Sequence, residues 1–437
     1  MTPAARLAAA IEILGELEAR ARPAGDVLRE WGVAHRYAGS GDRAAIGGLV
    51  FDALRRKASA AWIMGEGTPR AILLGTLKLA RGLDVDAIEK LCDGSRYAPS
   101  PLTDAERERL TAASLEGASL EGAPPPVAGD YPEWLDPHLA QTFGDERAAE
   151  GAALAARAPL DLRANTLKTT PEKVLEALAH LEAKPARWSP LGLRIALTAE
   201  GKQPPVTSEP SFLKGWFEVQ DEGSQLSALL TGAKPSEHVL DLCAGSGGKT
   251  LALAALMENH GQIFSYDSDL RRLAPIHERV HRADAHNVQV KSPRGKQDVL
   301  LDLVGKMDLV FLDAPCTGTG VWRRHPDAKW RMRPGALEQR VKEQAELLDA
   351  AVRYVKPGGS IAYVTCSLLD AENGAQVRAF AARTPSFAIV PPAEVARNLG
   401  DRGFMLGKAA LLSGEGLLLT PRRTETDGFF VALLKLA

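Results

Sequence analysis

The stretch Val239-Leu240-Asp241-Leu242-Cys243-Ala244-Gly245-Ser246-Gly247-Gly248-Lys249-Thr250 decides how the chain is read. Val239 to Leu242 is a short apolar run of the kind that forms a buried strand, and the glycines that follow let the backbone turn sharply into a helix beginning at Lys249-Thr250. Such a turn allows a ligand to approach the main chain closely. Asp267, about 20 residues beyond the turn and at the end of the next apolar run, Ile263 to Tyr266, is placed to accept both hydroxyls of a ribose. A nucleoside-containing cofactor is expected from this pairing. Three remain in play: a P-loop phosphate, for which Cys243 stands where glycine is required; a nicotinamide dinucleotide, for which Thr250 replaces the last glycine; and S-adenosylmethionine. A ligand-free tight turn is the alternative, and three glycines at one junction argue against it.

Outward from this loop, Leu309 to Leu312 and Ile361 to Val364 repeat the pattern of short apolar runs separated by helical periodicity. That alternation implies a parallel sheet wrapped by helices, closed by a terminal strand pair at Leu417 to Thr420 and Phe429 to Leu434. In an open parallel sheet the carboxyl ends of the strands face one crevice. Asp313-Ala314-Pro315-Cys316 directly follows one strand and Thr365-Cys366-Ser367 another, so both cysteines are expected beside the cofactor loop. A single buried cysteine is usually a small hydrophobe. Two at neighbouring strand ends facing a cofactor read as reactive thiols.

Upstream, Ala5 to about Leu120 carries apolar residues at helical spacing (Ile46, Leu49, Val50 and Leu54, for example), with Asp42 read as an N-cap. Glycines and prolines crowd Glu116 to Asp130, and residues Ala123 to Gly129 are read as a linker. Leu162 to Leu167 and Trp216 to Gln220 are expected strands flanking a helix at Pro171 to Leu181. The resulting division is a helical domain over 1–125, a linker with a small α+β subdomain over 126–235, and an α/β domain over 236–437.

Bulk properties agree with an ordinary folded chain of two or three domains: 437 residues, 45% hydrophobic, 25% charged, net charge -2 from 53 basic and 55 acidic side chains. Any basic footprint for nucleic acid must therefore be local. The four cysteines, Cys92, Cys243, Cys316 and Cys366, show no CxxC spacing, so neither a zinc cluster nor a disulfide scaffold is expected. No secretory signal and no apolar run of spanning length is present, and a cytoplasmic monomer without metal or membrane partner is the expectation.

Five motifs occur together and in order: Phe217-Glu218-Val219-Gln220-Asp221-Glu222-Gly223-Ser224-Gln225, the Asp241 to Thr250 loop, Asp313 to Cys316, Arg323-Arg324-His325-Pro326-Asp327 and Thr365-Cys366-Ser367. Together they resemble the RsmB branch of the RsmB/NOL/SUN family of RNA cytosine-5 methyltransferases. The helical first part, with Asp42-Arg43 through Leu54-Arg55-Arg56, is similar to the NusB-like RNA-binding domain of that branch. The resemblance implies a multidomain fold: an all-α NusB-like N-terminal domain, a small α+β subdomain and a C-terminal class I (Rossmann-like) α/β methyltransferase. It also implies S-adenosylmethionine as cofactor and a cytosine of RNA as substrate, 16S rRNA before tRNA.

Carried over residue by residue, the resemblance makes Cys366 the nucleophile that adds to carbon 6, and Cys316 the group that helps release the product. Asp313 is implied at the cytosine edge and the cofactor. Lys249, beside the cofactor loop, is placed to lower a nearby thiol pKa, with a solvated first-turn lysine as the alternative. Cys243, Ala244, Gly245, Ser246, Gly247, Gly248, Lys249 and Asp267 form the implied cofactor site. Gly245-Ser246 replaces the family's commoner Ala-Pro. After the third strand, Val290-Lys291-Ser292-Pro293-Arg294-Gly295 lacks the acidic residue that usually contacts adenine, leaving a backbone contact, Ser292 or Asp298 as substitutes.

Between the two cysteines, Val321 to Arg333 packs basic residues around Trp322 and Trp330, and phosphate contact with base stacking is the expected role for Arg323, Arg324, His325, Trp330 and Arg331, the alternative being a solvated loop with two buried indoles. Arg163 and Asn165 are expected to help seat RNA, whereas Arg271, Arg272, Arg279 and Arg282 read as a solvated helix face. Rival readings are a non-catalytic RNA-binding assembly factor and a dinucleotide oxidoreductase; the latter leaves both cysteines unexplained.

Overall fold

The computed structural model describes residues 1–20, 22–113, 120–197, 203–295 and 297–437. The chain divides into two compact units, Met1–Arg157 with Trp322–Arg333, and Ala158–Val321 with Pro334–Ala437.

The first unit is helical. Helices Pro3–Arg20, Ser40–Arg55 and Pro69–Leu79 turn Leu7, Ile13, Ile46, Val50, Ile72 and Leu73 into one buried core. Lys57–Met64 lies so near Pro69–Leu79 that a Cβ on Gly75 would stand 2.7 Å from the Ala60 carbonyl oxygen. Asp42 is not the N-cap expected of it. The helix begins at Ser40 after Gly39, and Asp42, one turn in, accepts from the Gly39 amide and Arg6.

The expected linker is likewise structured. Gly117 lies outside the described residues, but Pro125–Ala128 forms a helical turn, and the carboxylate of Asp130 is buried against the Ser59 amide and hydroxyl. An anchored carboxylate of this kind keeps the helical unit continuous to Arg157, beyond the boundary placed at 125.

Residues Trp322–Arg333 belong to this unit although more than 160 residues separate them from Arg157, as their numbering shows. Asp327 accepts from the Ala24 amide, Arg55 donates to the Arg323 carbonyl, and Trp330 Nε1 donates to the Leu54 carbonyl at 2.6 Å. Lys329 is fully enclosed. Its ammonium donates to the main-chain carbonyls of Arg55 and Asp130, and burial pulls its pKa down to about 7.

The second unit opens with a four-stranded antiparallel sheet: β1 (Leu160–Ala164), β2 (Lys184–Pro185), β3 (Gly192–Ile195) and β4 (Phe217–Val219), in the order β2-β3-β1-β4. Leu162, Val174, Leu193 and Phe217 form its core. β2 and β3 were not foreseen, and the expected helix at Pro171 to Leu181 is α-helical only to Ala177.

The large sheet follows: β5 (His238–Asp241), β6 (Gln262–Tyr266), β7 (Val288–Lys291), β8 (Met307–Asp313), β9 (Val355–Thr365), β10 (Phe387–Ile389), β11 (Leu411–Leu412), β12 (Leu417–Leu419) and β13 (Phe429–Leu436). Its order is β11-β12-β13-β9-β8-β5-β6-β7, with β10 pairing β13. β5 to β9 are parallel neighbours, and β13 runs antiparallel to β9. This is a Rossmann-like mixed sheet. Strands buried on both faces need continuous apolar runs, which is why Val310-Phe311-Leu312 and Ile361-Ala362-Tyr363-Val364 are all buried. Strand order reverses around β5, so the loops after β5 and β8 border the crevice where such sheets bind ligands. Among the described residues no helix is long and apolar enough to cross a membrane.

The depressed Lys329 value sets a pH test of the helical unit. A cation whose folded pKa lies below its unfolded one is tolerated best above the ordinary lysine range, and the unit loses stability as pH falls toward 7. Replacing Lys329→Met removes that dependence, so the variant's melting temperature relative to the parent should move in the variant's favour between about pH 10 and about pH 6. A constant difference across that range would show that folding does not depress the Lys329 pKa.

Candidate active site

The cofactor loop leaves β5 at Asp241 and enters the helix Gly248–Leu256. Gly247 takes φ +85°, and a Cβ there would come within 2.5 Å of Ile276, so both conformation and space call for glycine. Asp267, at the end of β6, accepts from the Gly245 amide at 3.0 Å and the Asp269 amide at 2.9 Å, which fixes the loop against the neighbouring strand end. Asp241 is fully buried. Thr250 donates to its Oδ2 at 2.6 Å, its Oδ1 has no partner among the described residues, and burial lifts its pKa to about 7. A cavity of about 320 Å³ lies over these groups, lined among others by Asp241, Ala244, Gly245, Lys249, Gln220 and Asp313. Cys243 lines it too, but burial and then the surrounding carboxylates push its thiol well above the usual range, which makes it an inert small side chain.

Lys249 and Asp313 meet across this cavity at 2.7 Å. Burial, the largest single influence on Lys249, pulls its pKa down; the charge and hydrogen bond of Asp313, with the charges of Cys366 and Asp241, outweigh it, so the ammonium persists. The parallel pairing of Asp313 with Val364 sets the β8 and β9 ends side by side. Cys316 Sγ and Cys366 Sγ lie 3.3 Å apart as free, half-buried thiols. The hydrogen bond with Cys366, then burial and nearby negative charge, raises the Cys316 thiol well above its ordinary value.

The site thus brings together Cys316, Cys366, Asp313, Lys249 and the loop Cys243 to Gly248, with Asp267 at its edge. An unpartnered buried acceptor at Asp241, a glycine cradle and a strand-end carboxylate fit S-adenosylmethionine: Asp241 suits its ammonium and Asp267 its ribose.

Comparison with known proteins agrees. The family described as 16S rRNA methyltransferase RsmB/F matches residues 228–435, and the RsmF/B-like ferredoxin-like domain matches 131–200. The chain is 32% identical over 407 residues to the ribosomal RNA small subunit methyltransferase B of Xanthomonas campestris, covering 90% of this chain and 89% of that protein. The chain belongs to the RsmB/F methyltransferase family. A probable ribosomal RNA small subunit methyltransferase B of Synechocystis is 32% identical over 70% of this chain and 67% of its own length. A solved methyltransferase homologue from Pyrococcus horikoshii superposes with TM-score 0.58 at 25% identity, over 72% of this chain and 98% of its own. This member of the RsmB/F family is an S-adenosylmethionine-dependent RNA methyltransferase. The ferredoxin-like match begins inside the helical unit; the four-stranded sheet itself starts at Leu160.

Several side chains expected at RNA sit elsewhere. Arg163 is buried, donating to Gln220 Oε1 at 2.7 Å, with burial lowering its pKa to about 10. Asn165 is buried too, and holds the Gly215 and Ala283 carbonyls together. Both act as internal struts. Arg323 and Trp330 are taken up by the helical unit, Arg331 is paired with Asp327, Arg324 is half-buried, and His325 is exposed. Arg279 and Arg282 are not a solvated face, since both pair with buried Glu218, and Arg279 also reaches Ser246. Of the substitutes for the adenine-contacting acid, Asp298 is committed to Arg353 and the Leu300 amide.

Sequence reading missed Glu372 and Gln344. Glu372 is completely buried and accepts from Thr317, Ser367 and Gln344; Gln344 also donates to the Pro315 carbonyl. The only signal was a carboxylate six residues after Cys366.

Asp267 braces the loop, and a strand-end carboxylate in this place suits a ribose. Asp267→Ala should weaken S-adenosylmethionine binding by about 10- to 100-fold in calorimetry and also lower the melting temperature, because the Gly245 and Asp269 amides lose their acceptor. Undiminished affinity would remove Asp267 from the cofactor site.

Proposed function

We propose that this enzyme methylates carbon 5 of a cytosine in small-subunit ribosomal RNA through a transient bond to Cys366. The observation that carries the reading is a pair of free thiols 3.3 Å apart beside a Lys249–Asp313 ion pair and the cofactor loop. The relatives named as ribosomal RNA small subunit methyltransferases favour the substrate.

Carbon 5 of cytosine is a weak nucleophile, so it must be activated before it can accept a methyl group. The Cys366 thiolate adds to carbon 6, breaking the carbon 5–carbon 6 double bond and moving its electrons toward carbon 5, while Lys249 supplies positive charge beside the attacking sulfur. Asp313 hydrogen-bonds the ring edge and, when protonated, donates to the ring nitrogen on which negative charge develops as the thiolate adds. S-adenosylmethionine, when bound, supplies an electrophilic methyl group. Cys316, after giving its own proton to solvent, removes the remaining carbon 5 proton; the ring double bond re-forms and the carbon 6–sulfur bond breaks, which frees Cys366. Before attack, the hydrogen bond with Cys366 and burial hold the Cys316 thiol above its ordinary value, which favours Cys366 over Cys316 as the sulfur that adds first.

The helical unit corresponds, in this reading, to a NusB-like RNA-binding domain, with His325, Arg324 and Arg331 the members of the embedded segment that meet phosphate. The protein acts as a cytoplasmic monomer.

Two variants test the division of labour. Cys366→Ala should abolish both methylation and covalent capture of RNA. Cys316→Ala should stall after methyl transfer and accumulate a protein–RNA adduct on denaturing gels. Normal 5-methylcytosine formation by either single variant, read by bisulfite sequencing of ribosomal RNA, would overturn the assigned roles.

A further inference from the structure

One buried side chain ties the two cysteine loops together. Glu372 follows β9 in a short 3-10 turn, Asp370–Glu372, and is fully buried. Four donors converge on its carboxylate: the Thr317 amide at 2.8 Å and Gln344 Nε2 at 3.0 Å on Oε1, the Thr317 and Ser367 hydroxyls at 2.5 Å each on Oε2. Thr317 is the neighbour of Cys316, and Ser367 the neighbour of Cys366. Gln344 extends the hold by donating to the Pro315 carbonyl on the other side of Cys316.

Resting on the two-thiol reading above, we infer that Glu372 is a positioning residue for the methyl transfer: its carboxylate sets the spacing of Cys316 and Cys366 by gripping the residue that follows each. An acceptor-only carboxylate is the group suited to four converging donors, and hydrogen bonds to a charged acceptor are stronger than neutral ones. Other contacts bring the loops together but bypass the thiols' immediate neighbours on at least one side: Gly320 donates to the Cys366 carbonyl, and Thr319 receives the Leu368 amide. Remove the carboxylate and the Cys316 loop is still tethered before the thiol, where Ala314 donates to the Val364 carbonyl and Gln344 to the Pro315 carbonyl, and beyond it at Thr319 and Gly320, while Thr317, next to the sulfur, loses both of its bonds to Glu372. The enzyme needs both sulfurs on one pyrimidine ring, so a looser pair slows chemistry without changing how RNA or cofactor is bound.

The test reads thiol spacing directly. Phenylarsine oxide condenses with two thiols close enough to share one arsenic, forming two sulfur–arsenic bonds and releasing water, and it requires neither RNA nor turnover. The full-length parent should bind one equivalent and Cys316→Ala none. Glu372→Ala should bind the arsenical and turn over about tenfold or more less well, with the KM for RNA within about threefold and S-adenosylmethionine affinity unchanged. Glu372→Gln, which keeps the shape but has one acceptor atom for four donors, preserves the test if the alanine variant folds poorly; it should fall between parent and alanine in both measurements. Parent-like arsenical binding by both variants, or loosened binding with parent-like kcat, would overturn the inference. If the parent itself methylates no cytosine, the reaction reading fails separately, and the arsenical measurement still decides whether Glu372 sets the spacing.

Discussion

The parallel pairing of β8 with β9 is the constraint on which the active site depends. It places Asp313 opposite Val364, so the loops leaving the two strands start level and their cysteines arrive on the same side of the crevice. Everything the site does chemically presupposes that alignment. A one-residue slip would flip the side chains of a strand to the other face and carry its loop away from the cofactor. The apolar runs of the two strands, buried on both faces, leave little freedom to slip, and β13 completes the arrangement by pairing along β9 from Ser360 to Thr365.

Around this frame, charge is distributed so that each polar group has a task. Lys249 and Asp313 satisfy one another in a half-buried pair, where an isolated ion would be costly. Asp241 is left with an unmatched oxygen at the cavity floor, an exception to the general pairing of buried polar atoms that makes sense where a charged ligand docks. Glu218 collects Arg279 and Arg282, and through Arg279 steadies Ser246 of the cofactor loop. The motif around Gln220 thus works as a buttress: Arg163 donates to Gln220, which donates to Ser224, and the last two line the cavity.

Much of this was legible from residue order. Strands of a parallel sheet announce themselves as apolar runs, and the cofactor loop, Asp267, Asp313 and both cysteines lie at strand ends, where topology alone dictates convergence. What escaped did so for physical reasons. Arg163 and the tryptophan-rich segment carry the composition of an RNA-binding surface, yet aromatic rings and long cationic stems cover protein interiors as readily as they stack on bases. Composition does not name the partner. Glu372 was invisible because an isolated carboxylate acquires meaning only from the donors that fold around it, and those come from three separate parts of the chain. Pro124, Pro125 and Pro126 suggested a linker; the buried carboxylate of Asp130 shows that the same residues close a packed helical turn.

The embedding of Trp322–Arg333 in the helical unit also bears on how the molecule is made. The helices of that unit leave the ribosome first, yet Lys329 and Trp330, which fill its interior and satisfy the carbonyls of Leu54, Arg55 and Asp130, are synthesised after most of the second unit. Loop closure over such a span is slow relative to local helix formation. The helical unit is therefore completed only when about three-quarters of the chain has emerged, and until then the carbonyls of Leu54, Arg55 and Asp130 lack these donors.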